Sequence, residues 1–153
     1  MPIQTPAIDL DTAPQLRAVI GRLARRLRPT ETAVSAGLTP TRITVLQAVT
    51  RRGPLRLSEL AASEGINPTM LSRVTADLVD AGLLERASDQ GDRRAAWVTA
   101  TATGKRLAER IRRERTDAVS LALSALSGDE REIIERALPA LEQLAEQLGG
   151  GRP

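Results

Sequence analysis

A chain of 153 residues, 41% hydrophobic and without an apolar run of membrane-span length, suits one soluble domain with a real core and is short for two. Cysteine, histidine and tyrosine are absent, which excludes disulfides, thiol redox sensing and the usual soft metal ligands, so neither metal nor cofactor is expected. The net charge of +3 rests on 22 cationic residues, all arginine except Lys105, and total charge alone does not specify a polyanionic partner.

The N-terminus, Met1 to Pro6, has no basic segment ahead of an apolar stretch, so it does not read as a secretory signal and the cytoplasm is the expected compartment. Asp11 or Thr12 can cap a first helix, with Pro14 in its first turn, where a missing N–H costs little. Leu16, Val19, Ile20, Leu23 and Leu27 recur at helical spacing, and Pro29 ends the pattern near Arg28. The other face carries Arg17, Arg22, Arg25 and Arg26, which fits a solvated surface more readily than a phosphate-contacting one. Thr30 to Leu38 is polar and reads as a connector.

Thr39 and Pro40 form a cap and first turn for a helix with Ile43, Leu46 and Val49 on one face. Leu55 to Leu57 allows one short strand. Ser58 is expected to cap the next helix, which contains Leu60 and Ala61 and ends at a left-handed Gly65. The following helix has the clearest start signal: Asn67 as cap, Pro68 at the first helical position, and Ile66 placed to staple onto Leu71. Leu71, Val74 and Leu78 make its buried stripe, leaving Pro68, Thr69, Ser72, Arg73 and Ala76 outward. Small and hydroxyl residues plus one arginine can enter a major groove and reach phosphates and base edges; the competing reading is an ordinary solvated face.

Gly82 ends this helix. Leu83 to Ser88 and Ala95 to Thr99 flank the tip Asp89 to Arg94 and read as a hairpin. Arg93 and Arg94 at that tip suit a narrow minor groove, with Asp92 bracing a guanidinium; a soluble turn is the plainer reading of these residues taken alone. Trp97 is expected as a core or junction filler. Thr101 opens a long helix over about 102–126, and Ser127 with Glu130 forms a capping box for a last helix. That helix carries a wide apolar stripe, including Ile133, Ile134, Leu138, Leu141, Leu144 and Leu148, and Gly149 begins a frayed tail. Helices this apolar at the chain ends need a partner, and a second copy is the simplest. A two-fold homodimer sets two reading heads roughly 34–36 Å apart, matching a palindromic duplex site.

The fold expected from these elements is mainly α, a winged helix-turn-helix with a small β-hairpin wing and N- and C-terminal dimerisation helices. Residues 1–153 form one domain in this reading, with 39–100 as the winged part and 11–28 and 102–148 as the dimerisation helices. An enzyme is disfavoured, because no catalytic pair sits in a recognisable spacing and there is no glycine-rich phosphate loop. A winged-helix module used for protein contacts is the rival.

The stretches Leu60 to Arg86 and Asp92 to Gly104 carry a resemblance to the MarR family of bacterial transcriptional regulators. The first is similar to the family's helix-turn-helix without a gap. The second matches its wing signature at Asp92, Arg94, Val98, Thr101 and Gly104, with Ala100 where a leucine is usual. The resemblance implies a sequence-specific DNA-binding regulator, a repressor, acting as a homodimer on double-stranded DNA. It places Arg94 in the minor groove with Asp92 as its brace and Arg93 beside them. Arg73 takes the recognition-helix arginine position, with Asn67, Pro68, Thr69 and Ser72 as neighbouring contacts. It further implies release by a small anionic or aromatic effector, in a cleft between the first helix, the helix after Thr39 and the long helix. Aliphatic packing with no ligand fits that cleft equally well.

Overall fold

The computed structural model describes residues 11–27, 30–88 and 96–150. The described elements run α1 (Thr12–Leu27), α2 (Glu31–Ser35), α3 (Pro40–Arg52), β1 (Leu55–Arg56), α4 (Leu57–Glu64), α5 (Pro68–Asp80), β2 (Leu84–Ser88), β3 (Ala96–Ala100), α6 (Ala102–Ser124) and α7 (Gly128–Gly150). The architecture is mainly helical with one small antiparallel sheet in the order β1-β3-β2, a winged helix-turn-helix carrying additional terminal helices. Leu55 pairs with Val98 on one side of β3, and Arg86 pairs with Val98 on the other.

One hydrophobic cluster holds the winged body together. Leu46 and Val49 from α3, Leu60 from α4, Leu71 and Leu78 from α5, Leu84 from β2 and Val98 from β3 are all essentially removed from solvent. Each such side chain contributes roughly 1.5–3 kcal/mol on burial, so this cluster fixes how α5 lies across α3 and α4. A smaller cluster of Ala33, Ile43 and Ile111 ties α2 and α3 to α6. Trp97 is half-buried on β3, with the Arg56 guanidinium 5.1 Å from its ring centroid. It therefore fills the sheet face, and β1 covers it through a cation–π contact.

Three local expectations give way. The polar stretch after Thr30 is not a plain connector, because it folds the five-residue α2. The Thr30 hydroxyl accepts the Ala33 N–H at 3.1 Å, and Glu114 on α6 accepts both the backbone N–H (3.2 Å) and the hydroxyl of Thr32. Those hydrogen bonds, the hydroxyl's foremost, hold the Glu114 carboxyl below its usual range. Ser58 does not cap α4. The helix starts earlier, at Leu57, where Glu59 reaches back to accept the Arg56 N–H at 3.2 Å. Finally, α7 continues to Gly150 rather than fraying at Gly149.

The other helix ends follow the residue chemistry. Gly65 (φ 61°) takes the left-handed position after α4, and Asn67 accepts the N–H groups of Thr69 (2.8 Å) and Met70 (3.4 Å) to open α5. Ser127 and Glu130 exchange both bonds of their capping box, at 2.9 and 3.2 Å. Thr101 caps α6 and also locks it in place. Its hydroxyl donates to the Gly82 carbonyl at 2.7 Å and accepts the Gly104 N–H at 3.0 Å. At Gly104 an added Cβ would lie 2.0 Å from the Leu83 carbonyl oxygen, so only glycine lets α6 pass this close to the turn after α5.

Candidate nucleic-acid interface

The second and third helices of the helix-turn-helix, α4 and α5, meet at the Gly65 turn. There α5 turns Leu71, Val74 and Leu78, with the buried Thr75 beside them, to the core. Its opposite face is open. Asn67, Pro68, Thr69, Ser72 and Arg73 are all exposed, so the structure brings these five expected site residues onto one accessible surface. Ala76, expected outward, is half-buried. The Asn67 carboxamide already occupies the Thr69 and Met70 amides, so anion recognition at this helix start falls to side chains rather than to free backbone N–H groups. Arg73 makes no hydrogen bond or ion pair among the described residues, and its guanidinium is available to a ligand. Asp92, Arg93 and Arg94, the expected wing contacts, lie outside the described residues.

Three further residues at this surface were not singled out from the sequence. Met70 is 54% exposed beside Thr69, an apolar group on an otherwise polar face. Its flank position between the buried stripe and the outward centre was readable from the 3.6-residue period. Arg86 on β2 is exposed and directs its guanidinium to the Ser72 carbonyl at 3.5 Å. The available signal was its place in a strand that follows α5 through one tight Gly82 turn and so must run alongside the helix. Arg42 on α3 pairs with Asp77 on α5 at 2.6 Å, a contact across 35 residues that no local pattern announces.

Away from α5, a cavity of about 300 Å³ opens between α1, α3 and α6, lined by Ala24, Leu27, Pro40, Thr44 and Arg115. Arg115 donates weakly to Gln47 at 3.4 Å, while its buried Nε–H has no partner among the described residues. Gln47 and Thr50 line a second cavity, of about 270 Å³, with Arg51 and Arg112. Among the described residues no cluster of acidic side chains could hold a metal ion, and no helix is long and apolar enough to cross a membrane.

Residues 38–96, which run from just before α3 through the helix-turn-helix and β2 to the start of β3, match the sequence profile of the MarR family. A solved structure from Pseudomonas aeruginosa, assigned as a transcriptional regulator, is 30% identical; the match covers 90% of this chain and 96% of that one with a TM-score of 0.74. The chain belongs to the MarR family. An HTH-type transcriptional regulator from Mycobacterium tuberculosis is 27% identical over 139 residues, covering 91% of this chain and 96% of that protein. The structure of NadR in complex with 4-hydroxyphenylacetate is 22% identical and has a TM-score of 0.73, covering 99% of this chain and all of the other, which bears on the fold alone. As a MarR family member, the protein is a DNA-binding transcriptional regulator, a class without enzymatic activity.

Proposed function

We propose that this MarR family protein is a cytoplasmic repressor that binds a palindromic operator as a homodimer. The observation carrying the reading is the face of α5: a capped helix with Thr69, Ser72 and Arg73 exposed, the Arg73 guanidinium having no partner among the described residues. Arg73 then reads a base edge in the major groove, Asn67, Pro68, Thr69 and Ser72 set the register, and Arg86 adds a phosphate contact from β2. Met70 offers an apolar surface suited to a thymine methyl group. Arg94, braced by Asp92 and flanked by Arg93, enters the minor groove from the wing.

Residues 39–100 act as the reading head, and 11–28 and 102–148 supply the dimer contacts. The support is that no residue of α1 or α7 whose burial is described is buried, while α7 exposes Ile133, Ile134, Leu138, Leu141 and Leu148. An apolar stripe of this size is covered when α7 meets a second copy. The cavity beside Arg115 suits a small carboxylate-bearing aromatic effector: Ala24, Leu27 and Pro40 give it aliphatic walls, and Arg115 supplies one cationic side chain to its lining. A ligand seated between α1, α3 and α6 can change the separation of the two reading heads and so release the operator. NadR, of the same fold, was solved with such an aromatic acid.

Selection of genomic DNA fragments by the purified protein, with and without candidate aryl carboxylates, tests the proposal. Enrichment of an inverted repeat that is lost with one of the acids is the expected result. Recovery of fragments without a shared motif would favour a winged-helix module for protein contacts instead.

A further inference from the structure

Asp77 is the acidic residue of α5 nearest to Arg73, and its charge argues against DNA binding. It lies four residues after Arg73, and positions four apart stand next to each other on a helix. An aspartate there can tie down the arginine that must reach a base, and it opposes the approach of phosphates. In the structure it does not bond to Arg73. The Asp77 carboxylate is instead taken by Arg42, reaching across from the first turn of α3 at 2.6 Å, with side-chain exposures of 33% for Arg42 and 39% for Asp77. The backbone of Arg42 belongs to the capped first turn of α3, its N–H donating to the cap Thr39 at 3.4 Å.

We infer that Arg42 is a positioning residue for operator recognition: by occupying Asp77 it leaves the Arg73 guanidinium free to bind a base edge. This rests on the assignment of Arg73 as a major-groove contact made above. Arg42 needs no DNA contact of its own for this role. Its effect passes through Asp77, so removing the carboxylate makes Arg42 dispensable. A pair that merely fastened α5 to α3 behaves differently, because loss of either partner would then cost the same.

The test measures binding of the full-length protein to a selected operator duplex and to a random duplex of equal length by fluorescence anisotropy. Arg42→Gln is expected to weaken operator binding about three- to fivefold, the scale of an exposed charge pair, and to narrow the operator-to-random ratio. Asp77→Asn alone leaves affinity unchanged or tighter. The double variant Arg42→Gln/Asp77→Asn returns to the level of Asp77→Asn, and Arg42→Lys retains most of the parental affinity. Failure of Asp77→Asn to rescue Arg42→Gln overturns the inference, as does an equal loss in both single variants or no loss in Arg42→Gln. Arg73→Ala in the same assay separates the two levels. If it costs nothing, the assignment of Arg73 itself fails; if it weakens binding while Arg42→Gln does not, only the role of Arg42 is lost. Because the pair is about one-third exposed and remains in contact with solvent, Arg42→Gln should melt within a few degrees of the parental temperature, and the Lys variant controls for any larger shift.

Discussion

The winged body and the terminal helices of this protein solve opposite problems. From α3 to the start of α6, apolar side chains meet one another, and Leu46, Leu60, Leu71, Leu78, Leu84 and Val98 are sealed in one cluster. In α1 and α7 no described side chain is buried, and large apolar residues stand open: Leu23 is 57% exposed and Leu148 71%. The difference separates a unit with its own core from surface that gains stability only by association. In the proposed function, recognition falls to the closed unit and the spacing of two such units to the open one.

The largest way to break this comparison is on the open side. Leu141→Glu puts a charge into the α7 stripe and is expected to give a monomer by light scattering that keeps its helical signal. Operator affinity should fall by about a hundredfold or more, because the second reading head no longer binds at high effective concentration. A dimer of unchanged affinity would mean that α7 does not pair. On the closed side, Gly104→Ala drives a Cβ into the Leu83 carbonyl and is expected to cost at least about 3 kcal/mol in urea unfolding. A smaller loss would show that the α6 junction yields. Asn67→Ala removes the acceptor for two amides of α5 and should cost about 1 kcal/mol of stability.

The smallest expected effect lies on the solvent face of α6. Arg112 first and then Arg113 donate to Glu109 and lower its carboxyl from 4.5 to about 2. A carboxylate with a depressed folded-state pKa stabilises above its unfolded value and loses that contribution as pH falls through its folded one. Glu109→Gln should therefore be slightly less stable than the parent at neutral pH, and the two should converge as pH drops from about 4.5 toward 2. Thermal melts of both proteins across that range provide the comparison, and high salt should shrink it because these groups are well exposed.

What the sequence revealed was chemistry acting within one turn. Asn67 and Pro68 opening α5, Gly65 closing α4, and Ser127 with Glu130 opening α7 each involve residues at most three or four apart, and each stands where the residue types placed it. The apolar period likewise located Leu71, Val74 and Leu78 in the core and left Thr69, Ser72 and Arg73 on the accessible side. What it concealed depends on distant partners. Helix α2 is supported by Glu114, 82 residues away from Thr32, and the Arg42–Asp77 pair spans 35. Ser58 misled because its residue type suits a cap, whereas Glu59 closes the first turn two residues earlier through Arg56. The wing tip at Asp92, Arg93 and Arg94 was legible only as a family signature, and it lies outside the described residues.

Salt dependence of binding to the selected operator, set against a random duplex over the same range, tests the reading of α5 most directly. Electrostatic contact with phosphates lowers log affinity against log salt with a slope of about −0.9 for each phosphate neutralised. A base-reading Arg73 preserves a preference for the operator as both affinities fall. A steep slope with a sustained operator preference, narrowed by Arg73→Ala, is the expected result. A flat salt response, or equal affinity for both duplexes at every salt concentration, would contradict a sequence-reading role for this helix.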